Sequence, residues 1–247
     1  MHSIGFGFDA LTDDYKVVRI VYLYVPNEFG PPPEIDIFSL STGTWRNISH
    51  LGLSHIIGER APQAYLNGTA HWLAFDRGID FFNLIVSFHM GDEVFGEIMV
   101  PSSIAHDKWE MDNLRVAKFR ESLSLIVGIW GKGACCIWVM KEYGVSESWT
   151  KQFDIDMTGG LFNNVAGEIL FGKKDGYLVA YYPQAEQVMQ LHIRGSRDES
   201  SGDSFYADAY TESLVLLGAK PKKKGKKRAV INVGNQNVEA SGELLKE

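Results

Sequence analysis

Gly5, Gly7 and Ala10, in the stretch "IGFGFDALTDDYKVVRIVYLY", have the G-x-G-x-x-A spacing of a dinucleotide-binding turn. That chemistry needs a strand running into the glycines and a helix N-terminus after them, so that backbone N–H groups and the helix dipole meet a pyrophosphate. Four residues precede Gly5, too few for the strand, and Thr12-Asp13-Asp14 leads into a β-branched and aromatic run from Tyr15 to Tyr22. A turn followed by a strand is the wrong context. The glycines instead read as places where the backbone passes close to a neighbouring strand, and Asp9, Asp13 and Asp14 as side chains capping the turn.

Other reactive residue types lead to the same conclusion. Of seven histidines, His50 and His55 flank "LGLS" without a third ligand nearby, and His2, His71, His89, His106 and His192 lack ligand spacing. A metal needs three or four convergent donors, so no metal site is expected. "SLSTGTW" (39–45) resembles a sialidase-type Asp box, S-x-D-x-G-x-T-W, but Ser41 stands where the Asp belongs and Trp45 comes one residue early. A β-turn at Ser41-Thr42-Gly43 followed by a packing tryptophan is the better reading. Glu97, Glu110 and Asp112 have no readable partners, and a nucleophile elbow and a P-loop are absent. No catalytic residue and no cofactor are expected.

The elements that position these side chains repeat. "EIDIFSLSTGTWRNI" (34–48), "LIVSFHMGDEVFGEI" (84–98), "CCIWVMKEYGVSESWTKQF" (135–153) and "YLVAYYPQAEQVMQL" (177–191) share a strand-like run with an aromatic anchor, a turn and a second bulky residue. The anchors Phe38, Phe88, Trp138 and Tyr181 are 50, 50 and 43 residues apart; Trp45, Phe95 and Val188 lie seven residues after theirs, and Trp149 eleven. Ile48, Ile98 and Leu191 follow three positions later, and Phe153 four later. Between these hairpins, 64–75, 114–130 and 164–174 place turns at Asn67-Gly68, Arg120-Glu121 and Ala166-Gly167. Two hairpins per period make four strands per unit, which predicts an all-β, β-propeller-like fold with kelch-like four-stranded blades rather than an irregular sandwich. Trp45 and Trp138 are expected to be buried anchors.

The motifs "GFGFDALTDDYKVVRI", "EIDIFSLSTGTWRNI", "YLNGTAHWLAF", "LIVSFHMGDEVFGEI" and "YTESLVLL" (210–217) occur in an order that resembles the F-box-associated domain of plant F-box proteins, the F-box/kelch-repeat and S-locus groups above all. The resemblance runs from Ile4 to Leu217. It implies the substrate-recognition part of an SCF-type E3 ubiquitin ligase, with no catalytic residues of its own, since other subunits transfer ubiquitin. The F-box itself and the strands that separate it from "GFGFD" in that family are not in this sequence. A propeller incomplete at its N-terminus is therefore expected, with a sheet edge or an apolar blade face exposed. Alternatives are a non-ligase scaffold or truncated paralogue, and a carbohydrate-binding or hydrolase propeller.

With 247 residues and 45% hydrophobic composition, the chain needs neither disulfides nor metals to hold a core. Cys135 and Cys136 are adjacent and point to opposite faces of any strand, so they fit a reducing compartment. No apolar run reaches a membrane span, and cytoplasmic and/or nuclear localisation is expected. Net charge is −7, but residues 220–247 carry eight Lys/Arg and three Glu, leaving 16 Lys/Arg and 28 Asp/Glu in the body. So acidic a body is unsuited to nucleic acid. Expected partners are a target protein for ubiquitination, and the ligase adaptor only if an F-box is supplied; neither nucleic acid nor membrane is expected. Two domains follow: 1–218, propeller-like, and 219–247, a basic, disordered tail. The tail block Lys222, Lys223, Lys224, Lys226, Lys227 and Arg228 reads either as a nuclear-import signal or as a solvated extension. Candidate recognition loops are 26–34, 76–82, 102–112 and 195–204, with Trp109 either an interface anchor or a core residue.

Overall fold

The computed structural model describes residues 1–23, 30–58, 63–77, 82–104, 114–129, 134–156, 165–166, 170–172, 177–182 and 187–194. Among them are four antiparallel sheets, each built from consecutive strands. The first is β1 (His2–Asp9), β2 (Asp14–Val21), β3 (Glu34–Ser39) and β4 (Thr44–Asn47). In the second, β5 (Ile56–Ile57) and β6 (Ala64–Leu66) share one edge of β7 (Thr69–Phe75), which continues to β8 (Leu84–His89) and β9 (Val94–Met99). The third is β10 (Leu114–Phe119), β11 (Ser122–Ile129), β12 (Ala134–Met140) and β13 (Trp149–Asp156). The fourth is β14 (Val165–Ala166), β15 (Leu170–Gly172), β16 (Tyr177–Tyr182) and β17 (Gln187–Arg194). The propeller-like fold and its fifty-residue period are therefore present.

Turn chemistry explains the hairpins. Leu66 pairs with Thr69 across Asn67-Gly68, whose φ angles of 50° and 77° are those of a tight two-residue hairpin turn. Phe119 pairs with Ser122 across Arg120-Glu121, again with a left-handed first residue (Arg120, φ 53°). The four-residue turns 10–13, 40–43 and 90–93 each end on a left-handed residue, Asp13, Gly43 and Glu93. Ala166 departs from expectation: it is a strand residue paired with Leu170, and Gly167 lies outside the described residues. Because the strands alternate in direction, all these turns gather at one end of the sheets. The described connector residues 22–23, 30–33, 48–55, 76–77, 82–83 and 100–104 gather at the other.

Among the described residues the core forms three layers between consecutive sheets. Val18, Ile20, Ile35 and Ile37 of the first sheet meet Ala70, Trp72, Val86 and Phe88 of the second. Leu66, Leu73, Ile85 and Ile98 on the other face of the second sheet meet Leu114, Val116, Leu125 and Cys136 of the third. Phe119, Ile126, Cys135 and Ile137 meet Val179 and Tyr181 of the fourth. Each anchor thus packs toward the sheet before it: Phe88 toward the first, Trp138 toward the second, Tyr181 toward the third. Ile48 and Ile98 lie three residues beyond the anchor's cross-strand partner, so strand alternation sends them to the following sheet, where both are buried.

One expectation is corrected here. Trp45 pairs with Phe38 across the strands but is 50% exposed, because it stands on the face of the first sheet that none of these three layers covers. Trp149 does not oppose Trp138: the longer turn lets it pair with Met140, leaving Lys151 opposite Trp138. Trp149 is nevertheless buried, and its indole N–H donates to Met99 O at 3.1 Å. Trp138 is partly buried in the layer between the second and third sheets.

Candidate functional site

"GFGFD" and "AYLNGTAHWLAF" form one structure. Gly5 and Gly7 point from β1 toward the second sheet, where a Cβ on Gly5 would overlap the Trp72 ring and one on Gly7 the Tyr65 ring. The two rings fill the space and their polar tips bond the free edge of β1. The Trp72 indole N–H donates to Ile4 O at 3.2 Å. The Tyr65 hydroxyl donates to Phe8 O (2.6 Å) and accepts from Phe8 N–H (2.9 Å). The Gln63 side-chain amide makes the same reciprocal pair with Phe6 N–H and O, both at 2.8 Å. An edge that would otherwise offer its backbone to another strand is closed by side chains. Burial pushes the Tyr22 phenol up to about 12; its hydroxyl donates to His55 O and accepts from Ile57 N–H, pinning the connector end.

At the turn end, a cleft of about 320 Å³ lies over the first two sheets, lined by Thr12, Asp14, Lys16, Ser41, Arg46 and Glu93 among others. Lys16 comes from the buried face of β2, and Asp9 from the last position of β1. The Lys16 ammonium contacts Asp9 Oδ2 (2.8 Å) and Glu93 Oε1 (3.0 Å) and donates to Met90 O (2.8 Å), while Arg46 contacts Glu93 Oε2 at 2.6 Å. Burial pushes the Asp9 carboxyl upward, but Lys16, the Thr12 hydroxyl and Leu11 N–H outweigh it and hold the group at about 2. Burial opposes the charged forms of Lys16 and Glu93 as well. Their partners win, raising the first and lowering the second. The expected cap is present: Asp9 accepts from Leu11 and Thr12 N–H. Asp14 reaches further, accepting from Ser39 Oγ and from Ser41 N–H and Oγ, and so ties β2 to turn 40–43. Lys16 and Arg46 neutralise Asp9 and Glu93, so the chemistry of this circuit is that of a clamp between sheets rather than of a general acid or base.

The remaining sequence candidates sort plainly. His50 lies in an exposed 3-10 turn at Ser49–Leu51. His55 is buried between Asp76 and Glu97, but on different ring nitrogens (Nε2 at 3.0 Å, Nδ1 at 3.5 Å), so the three cannot converge on one ion. His71 donates through Nδ1 to Ala64 O (3.1 Å), which leaves Nε2 to accept from the Tyr143 hydroxyl (2.7 Å); burial drives its pKa down to about 4. Among the described residues no group of three His, Cys, Asp or Glu is placed to hold a metal. Cys135 and Cys136 are both buried and form no disulfide, and burial pushes the Cys135 thiol up to about 12. Trp109, Glu110, Asp112, loop 195–204 and the block Lys222, Lys223, Lys224, Lys226, Lys227 and Arg228 lie outside the described residues, as do 26–29, 78–81 and 105–112 of the other three loops.

A family model described as the F-box associated beta propeller domain matches residues 1–234. This chain belongs to the F-box-associated β-propeller family. The F-box-associated chain is 30% identical over 236 residues to the F-box protein CPR1 of Arabidopsis thaliana, covering 86% of this chain and 55% of that protein. It is 30% identical over 235 residues to the Arabidopsis F-box protein At3g07870, covering 77% and 55%. It is also 28% identical over 154 residues to the Arabidopsis F-box/kelch-repeat protein At3g23880, covering 62% and 40%. The chain thus spans about half the length of the curated relatives it matches. Among the described residues, no helix is long and apolar enough to cross a membrane.

Proposed function

We propose that this F-box-associated domain is the target-binding part of an SCF-type ubiquitin-ligase subunit. It holds a protein for ubiquitination and transfers nothing itself, and it contacts the ligase adaptor only through an F-box supplied elsewhere. The observation that carries the reading is the family membership over residues 1–234. The ion-clamped turn end supports it in physical terms. Turns held by buried charge pairs present a rigid surface, and rigid surfaces lose less entropy on binding a protein. A carbohydrate-binding or hydrolase propeller is disfavoured by the cleft, whose lining is hydroxyls, paired charges and Ile37, with no aromatic ring for a sugar to stack on. Cytoplasmic and/or nuclear localisation belongs to the same proposal.

The test is a paired pull-down of this chain and of the longest product of the same locus, probed for the adaptor that binds F-boxes. Adaptor recovery by the longer product alone, with shared captured proteins accumulating when cullin-RING ligase activity is blocked, supports the reading. Adaptor recovery by neither, or captured proteins whose abundance never changes, sinks it.

A further inference from the structure

The clamp at the turn end leaves one buried carboxylate without a cation. Lys16 and Arg46 answer Asp9 and Glu93, and the Lys16 ammonium spends its three N–H groups on Asp9, Glu93 and Met90 O. Asp14 lines the same cleft and is 4% exposed. It accepts from the Ser39 and Ser41 hydroxyls and from Ser41 N–H, and no Lys, Arg or His among the described residues pairs with it. A carboxylate offers about four lone-pair sites, so one acceptor position remains, on the Oδ1 that takes only Ser41 N–H. The neighbouring hydroxyls are spent in the same sense. Thr12 gives its proton to Asp9 and Ser41 gives its proton to Asp14, so both present oxygen lone pairs. Thr42 and Thr44 add two more oxygens, 2.9 Å apart. The cleft opens on the side of the first sheet that faces the second, because Ile37 in its lining belongs to the layer between them and pairs with Arg46.

Building on the target-binding reading, on which this rests, we propose that the cleft takes one lysine side chain of the captured protein, its ammonium on Asp14 and its methylene stem along Ile37. Charge fixes the sign of the ligand. The four groups of the clamp cancel, so the surplus carboxylate decides, and with acceptor oxygens around it the site repels an anion and suits a group that only donates. The open positions fix which cation. A guanidinium grips a carboxylate as a fork through both oxygens, whereas Asp14 has room for one donor on one oxygen. An ammonium needs one such acceptor and turns its other N–H groups to the hydroxyls. Size agrees. A volume of about 320 Å³ is at the small end for a ligand site and holds one side chain with an apolar stem and a charged tip.

NMR titration of the isotope-labelled 247-residue chain with Nα-acetyl-lysine amide tests the site. Amide signals of turns 10–13 and 40–43 should shift and saturate with a dissociation constant of about 1–10 mM, the range of a single charged contact in a small site. Nα-acetyl-norleucine amide, with the stem but no charge, should not saturate, and Nα-acetyl-arginine amide should bind at least about threefold more weakly. Asp14→Asn should weaken the lysine probe by at least about tenfold. Because Asp14 also ties turn 40–43 to β2, Thr44→Lys is the second variant: it keeps the bonds of Asp14, fills the cleft with a resident ammonium and should abolish probe binding. Both variants should also lose the proteins captured in the pull-down. Shifts that fail to saturate by about 50 mM probe, that norleucine reproduces, or that survive Thr44→Lys overturn the proposal. So does an arginine probe that binds as tightly as lysine, or target capture that both variants retain. The two readings fail separately: probe binding in a chain whose longer product recovers no adaptor sinks the ligase role, and adaptor recovery beside a cleft that ignores the probe sinks the lysine site alone.

Discussion

The first sheet has two faces made from alternate residues of the same strands, and they differ completely. Toward the second sheet stand Val18, Ile20, Ile35 and Ile37, none more than 3% exposed. On the reverse stand Ile4, Phe6, Arg19, Asp36, Phe38 and Trp45, and of these Ile4, Phe6 and Trp45 are at least half exposed. The contrast shows that hydrophobicity alone did not decide burial: both faces are rich in it. What decided it was the presence of a complementary neighbour, with glycines on β1 leaving room for Trp72 and Tyr65. The second sheet, covered on both sides, is the control.

The sharpest way to break the comparison is to remove what fills the covered face. Trp72→Ala should cost about 3–5 kcal/mol in chemical denaturation, since it leaves a large cavity and frees the edge of β1. Gly5→Val attacks the same contact from the other side. Its side chain must displace the Trp72 ring, and a loss of about 1–3 kcal/mol is expected; an unchanged midpoint would deny that the two motifs interlock.

The second sheet supplies an acid test. His71 has a pKa near 4 in the fold against 6.5 when unfolded, so the unfolded chain binds the extra proton between those values. Stability is full above about pH 6.5, falls by about 3 kcal/mol toward pH 4, and levels off below. His71→Phe should flatten that slope; an unaltered slope would place the acid sensitivity elsewhere. Asp9 acts in a lower window. With its pKa lowered from 3.8 to about 2, its contribution is complete above about pH 4 and lost as pH falls through 2, about 2 kcal/mol in all. Lys16→Met should raise the Asp9 pKa and move that loss to higher pH, as carboxyl titration by NMR would register.

The smallest effect belongs to the uncovered face. Trp45→Ala should cost less than about 1 kcal/mol, because the ring is half in water to begin with. A loss as large as that of Trp72→Ala would mean that the face is covered after all.

Much of this was legible in the sequence. The anchors at 38, 88, 138 and 181 marked the four sheets, because a sheet that must bury both faces repeats its apolar pattern at the blade length. Asn67-Gly68 announced its hairpin, since few other residue pairs tolerate two left-handed positions. The neighbours of His55 were not legible: Asp76 and Glu97 reach it from distant segments, on different ring nitrogens. The clamp of Lys16 with Glu93 was not legible. The two lie 77 residues apart, and a lysine within "DDYKVVRI" looks like any solvated charge.

By itself the sequence determined the strands, their turns and their alternation, because each follows from local sterics and from the period of two that governs a pleated chain. Only the tertiary structure decided which aromatic side chains are buried. Trp72 and Trp45 have the same side chain in similar strands, yet one is fully buried and the other half exposed. Burial depends on what another part of the chain brings opposite, and contacts between distant segments leave no local mark on the residues that make them.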